Sequence, residues 1–112
     1  MTITSLRNML AEMRQEFRAK RIMKRVCNTF HVAAGEITRQ TRNNNLVKCA
    51  RLQFIRDCDE KGLPKKMVAY LLNIGVSHYR DLLKEARIRE NWYAYYRYTF
   101  TGTTRGIYDH EA

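Results

Sequence analysis

The sequence predicts an all-α fold, and three observations carry that expectation. Pro64 is the sole proline, and glycine is confined to positions 35, 62, 75, 102 and 106. The stretches between them are rich in Leu, Met, Arg, Lys and Glu, which lose little rotamer freedom in a helix. Apolar residues recur at three- and four-residue spacing, the period of one helix face. With 112 residues, 45% of them hydrophobic, the chain can build one small core and suits a single compact domain.

A first helical segment is expected over 4–30, capped by Thr4 or Ser5. Leu6, Met9, Leu10, Met13 and Phe17 mark one face. The pattern then slips through a polar stretch, Arg18 to Arg21, and restarts as Ile22, Met23, Val26, Cys27 and Phe30. Such a slip predicts two helices, or one bent helix whose halves face different neighbours. The first half is also a candidate dimerisation helix. About two turns of helix follow near Ala33–Ile37, and 39–45 reads as a polar loop. Asn44 or Asn45 then caps a helix over 45–60, which Gly62 ends.

Pro64 suits the first turn of a short helix over 64–72, whose inner side is Met67, Val68, Leu71 and Leu72. Asn73-Ile74-Gly75-Val76 reads as a turn. Ser77 caps a helix over 78–95, with Asp81 near the capping-box position and Leu82, Leu83, Ala86 and Ile88 inward. Trp92, Tyr93, Tyr95, Tyr96, Tyr98 and Phe100 crowd together at its end, which is expected near Tyr96, and in the irregular tail that follows. Those rings either close the core or offer stacking surfaces for bases; core closure is favoured, because a small domain needs large rings to gain enough burial. The expected organisation is an N-terminal helix over 1–21, a helix-turn-helix domain over 22–96 and a tail over 97–112.

Charge narrows the function. Twenty-one Lys and Arg face eleven Asp and Glu, a formal net charge of +10, and fourteen of the cations are Arg. Such an excess drives counterion release on a polyanion, and the guanidinium fork matches phosphate and guanine edges. Cys27, Cys49 and Cys58 show no C-x-x-C spacing and the histidines are dispersed. No zinc site or other cofactor is therefore expected, and the thiols read as free. No apolar run is long enough to span a membrane, and charged Arg7, Glu12 and Arg14 interrupt any signal-peptide core. A bacterial cytoplasmic or nucleoid location is expected.

The segment from Lys66 to Leu83 has the helix-turn-helix pattern: a short first helix, a turn containing Gly75, and a second helix whose first turn is polar. In such units that first turn meets base edges in the major groove. The expected contacts are Arg80 to guanine, His78 to a base edge or phosphate, and Ser77 and Tyr79 to phosphate oxygens. Lys65 and Lys66 are expected on the DNA backbone, with Lys84 and Arg87 at the rim.

From Ile22 to Arg89 the chain resembles the C-terminal DNA-binding domain of the chromosomal replication initiator DnaA. The likeness rests on Ile22-Met-Lys-Arg-Val-Cys-Asn-Thr-Phe-His-Val32, on Glu36-Ile37, on Ala50-Arg51, on Leu63 with the helix after it, and above all on His78. His78 falls on the histidine of the family's Asp-His-Ser/Thr-Thr signature, with Ser77, Tyr79 and Arg80 replacing its neighbours. The resemblance implies a helical, duplex-binding domain and places Arg42 in a basic loop that reaches the minor groove. It further implies a detached domain of phage or mobile-element type. The chain has no G-x-x-x-x-G-K-[ST] phosphate-binding run.

The expected function is therefore sequence-specific recognition of double-stranded DNA in transcription or replication control, with no enzymatic activity. The alternative is a basic helical adaptor for a host or phage protein, such as a polymerase or replication subunit. A metal-dependent nuclease would have to use Asp57, Asp59 and Glu60, which more simply offset nearby basic charge.

Overall fold

The computed structural model describes residues 2–39 and 44–101. Among them are six helices: α1 (Ile3–Phe30), α2 (Ala34–Thr38), α3 (Asn45–Glu60), α4 (Lys65–Leu71), α5 (Val76–Ala86) and α6 (Trp92–Phe100). The fold is all-α, as the periodicity predicts. α3 is its axis, packed against α1, α2, α5 and α6, while α4 leans on α3 and α5. The core is one cluster that includes Ile22, Val26, Phe30, Ile37, Leu52, Phe54, Ile55, Val68, Leu72, Tyr79, Leu83 and Trp92.

The phase slip in the first segment does not break the helix. α1 runs unbroken for 28 residues, and only its second half buries a face, through Ala19, Ile22, Val26 and Phe30. Its N-cap is Thr2 rather than Thr4 or Ser5: the Thr2 hydroxyl accepts from the Ser5 amide at 3.1 Å. α1 ends at His31, which is left-handed at φ 57°, and the Val32 amide turns back to Cys27 O at 3.2 Å.

α3 begins where Asn44 Oδ1 accepts from the Val47 amide at 2.8 Å. It ends at Gly62, whose φ of +69° is the left-handed geometry that glycine adopts without strain. There the Gly62 and Leu63 amides satisfy Asp59 O and Cys58 O. Arg51 is buried at 5% exposure. Its Nε donates to Ile37 O and its Nη2 to Arg39 O, both at 2.9 Å. The guanidinium thus closes the C-terminal carbonyls of α2. Burial lowers its pKa from the usual arginine range.

The helix expected over 78–95 is two helices. α5 stops at Ala86, and Asn91 caps α6 by accepting from the Ala94 amide at 2.9 Å. The break lets Trp92 fold back over the end of α5, where its indole Nε1 donates to Ala86 O at 3.0 Å. The Trp92 amide donates to Gln53 Oε1 at 2.7 Å, tying α6 to α3. The aromatic segment is helical as far as Phe100. Its rings pack on protein: Tyr93 against Phe30 at 5.2 Å between centroids, Tyr95 edge-on to Trp92 at 5.4 Å, and Phe100 against Tyr95 and Tyr96. Arg89 lies over the Tyr95 ring at 3.8 Å. Trp92 lies in the core and Tyr93, Tyr95 and Tyr96 pack against it, whereas Tyr98 and Phe100 are exposed. No helix among the described residues is long and apolar enough to cross a membrane.

Candidate nucleic-acid interface

α4 and α5 form the two arms of the helix-turn-helix. Val68 and Ala69 on α4 are fully buried, and Leu72 seals the start of the turn. The reversal is made by Asn73, not by Gly75. Asn73 is left-handed at φ 59°, and the Asn73 and Ile74 amides bond to Tyr70 O and Ala69 O, each at 3.0 Å. Asparagine tolerates this conformation because its short polar side chain can bond locally. Gly75 is the N-cap of α5 with an ordinary extended backbone (φ −73°, ψ 159°), and a Cβ there would meet nothing within 4 Å. Ser77 therefore lies inside the first turn of α5, makes no cap, and forms no capping box with Asp81.

The rotation of α5 is set by Tyr79, Leu83 and Ala86, all buried. Tyr79 was expected on phosphate, and the structure overturns that: it is 1% exposed and among the largest fully buried side chains. Its position two residues after Ser77 and four before Leu83 places it on the core face, where its ring adds apolar area that a small core needs. Burial, with Cys58 and Asp59 close by, holds its phenol well above the usual tyrosine range.

With Tyr79 inward, Ser77, His78, Arg80, Asp81 and Lys84 are exposed. Ser77, Arg80, Asp81 and Lys84 share one outward ridge by their three- and four-residue spacing, and His78 stands to its side. The ridge therefore holds two cations and one carboxylate. Lys65 and Lys66 are exposed at the start of α4. Arg42 lies outside the described residues.

Arg87 does not stand free at the rim. It caps the end of α5, and its Nε and Nη2 each donate to an Asp59 carboxylate oxygen at 2.8 Å, a bidentate pair anchoring α5 to α3. This bond holds the Asp59 carboxyl below the usual carboxylate range. Asp57 instead bonds Gln53, and Glu60 bonds Arg56. The three acids thus have separate partners, and the described residues contain no group of three or more side chains able to hold a metal ion. The cysteines are free, and burial pushes the Cys58 thiol up to about 12.

Two surface features were not singled out from the sequence. Tyr70 is 80% exposed on α4, one turn beyond Lys66 on the same side. The apolar run around it, Val68-Ala69-Tyr70-Leu71-Leu72, hides it from a reading by hydropathy. Arg18, Arg21 and Arg25 of α1 also meet Lys61, just past α3, across an open groove floored by Ile22. Their spacing along α1 was the available signal. Comparison with protein-family models, curated proteins and solved structures gave no match.

Proposed function

We propose that this protein binds double-stranded DNA sequence-specifically, as a regulator of transcription or replication, with α5 in the major groove. One observation carries the reading. The first turn of α5 exposes Ser77, His78 and Arg80 while Tyr79 locks the helix to the core behind them. Direct readout requires polar side chains held rigidly at the end of a groove-sized helix. Lys65, Lys66 and Tyr70 on α4 suit phosphate contacts beside it, and the Arg18–Arg21–Arg25–Lys61 groove adds cationic surface. The likeness to the DnaA DNA-binding domain between Ile22 and Arg89 favours the same reading.

Binding-site selection from a random duplex library, followed by gel shifts at two salt concentrations, tests it. The expected result is an enriched site and affinity that falls steeply with salt. Arg80→Ala should cost ~1–3 kcal/mol on that site and relax choice at one base pair. Failure to enrich any site, with salt-independent retention of a protein partner instead, would favour the adaptor reading.

A further inference from the structure

The outer half of α1 carries an apolar stripe that lies outside the core: Ile3, Leu6, Met9, Leu10, Met13 and Phe17 are all exposed, from 42% to 72%. Ile3, Leu6, Leu10, Met13 and Phe17 are spaced alternately by three and four residues, the seam of a two-stranded coiled coil. At about 100° per residue the seam lies about 180° around the helix from Ala19, Ile22, Val26 and Phe30, which bury against the domain. One helix thus bears two opposed stripes, the outer ending where the inner begins. The molecule is correspondingly long, 63 × 29 × 24 Å.

The flanks of the seam identify its occupant. One side carries Arg7, Arg14 and Arg21, and the other carries Met9 and Glu16. In a parallel, in-register pair these two flanks face each other, so Glu16, which also bonds Lys20 of its own helix at 3.2 Å, meets Arg21 of the partner subunit. In an antiparallel pair arginine flank would face arginine flank. Past Phe17 the next seam positions are Lys20 and Lys24, whose mutual repulsion stops the zipper and splays the helices where the domain starts. We infer that residues 3–17 of α1 form a parallel, two-stranded coiled coil with a second copy of this chain. The inference stands independently of DNA binding; should both hold, two reading helices are presented about a two-fold axis, toward paired half-sites.

Sedimentation equilibrium of the full chain from about 1 to about 300 µM tests it, a range that brackets a short zipper. Wild type should dimerise, and Leu10→Glu should weaken the dimer at least about tenfold, while its thermal melt stays that of a folded monomer because Leu10 is exposed there. Glu16→Arg should weaken the dimer, and adding Arg21→Glu should restore it. Leu6→Cys should form a disulfide-linked dimer on oxidation under conditions where wild type does not. A wild type monomeric throughout, no rescue by the charge swap, or no cross-linking of the Leu6→Cys variant each overturns the parallel pair. So does a monomer that binds vesicles of anionic lipid through Leu10, which would make the stripe a lipid-surface helix.

Discussion

Replacing Arg51 tests the joint between α2 and α3. Its guanidinium sits at 5% exposure and is held by the carbonyls of Ile37 and Arg39, and no carboxylate is paired with it among the described residues. Arg51→Met keeps most of the apolar stem and deletes both donors. Each carbonyl left without a partner costs about 1–3 kcal/mol, the larger figure applying to the buried Ile37 O. Against this, methionine carries no charge to desolvate, which returns part of the loss. A net destabilisation of about 2 kcal/mol follows, or a fall in Tm of roughly 8–16 °C at about 4–8 °C per kcal/mol. Arg51→Lys should fall between, because one ammonium cannot reproduce the fork that reaches two carbonyls at once. Urea unfolding followed by helical circular dichroism gives the numbers. At a slope of about 1–2 kcal/mol per molar, the Met variant should move the midpoint down by about 1–2 M with its slope unchanged. If Arg51→Met unfolded within about 0.5 kcal/mol of wild type, the reasoning that this buried cation exists to close α2 would be wrong.

Other outcomes separate the competing accounts of the turn and the rim. Asn73→Ala should destabilise by about 1 kcal/mol because alanine pays for the left-handed backbone, whereas Gly75→Ala should stay within about 0.5 kcal/mol, the small loss of capping being set against a stiffer unfolded chain; the reverse order in denaturant melts would return the turn to the glycine. Asp59 titrates low in the fold because Arg87 bonds its ionised form, so its contribution is complete above an unfolded carboxyl pKa of about 3.9 and disappears as pH falls through the folded value. The stability difference between wild type and Asp59→Asn should therefore be constant from neutral pH to about 5 and shrink below it; a difference that grew on acidification would exclude the pair as its source. Asp81→Asn should strengthen binding to non-specific duplex, since it removes a carboxylate from the α5 ridge, and a gel shift showing unchanged or weaker non-specific affinity would place the phosphates elsewhere.

Much of the architecture is readable from residues whose effect is local. Asn44 starts α3 and Gly62 ends it because a side-chain acceptor and a left-handed backbone act within one turn. The gap between α5 and α6 has such a signature at its far end, where Asn91 caps α6 as Asn44 caps α3, but none that ends α5. Arg87 to Asn91 contains neither glycine nor proline, and Ile88 continues the apolar period, yet Ile88 is 70% exposed. What breaks the helix is tertiary: Trp92 gains burial and two hydrogen bonds only if the chain folds back onto Ala86 and Gln53. The candidate interface divides the same way. His78 and Arg80 are polar, adjacent to a turn, and exposed on the first turns of α5. Tyr79 is amphipathic, so its ring and its hydroxyl point to opposite predictions, and only the phase of Leu83 and Ala86 on the same helix decides between them. Arg87 needed Asp59, which lies 28 residues away in the chain.

That division also bears on how the proposed duplex contact would work. A ridge of Ser77, Arg80, Asp81 and Lys84 carries only a single net positive charge, too little to hold a duplex by attraction alone. The affinity would have to come from cations off the ridge, for which Lys65, Lys66 and the groove of Arg18, Arg21, Arg25 and Lys61 are the candidates. In such a contact a carboxylate on the ridge would have a use that a lysine could not fill: it would repel phosphate and accept from a cytosine amino group, so it would penalise every register but the one that offers a donor. Core burial of Tyr79 would make this discrimination possible. If α5 were free to roll by one residue, about 100°, Asp81 would leave the groove and the mixed-charge ridge would read nothing.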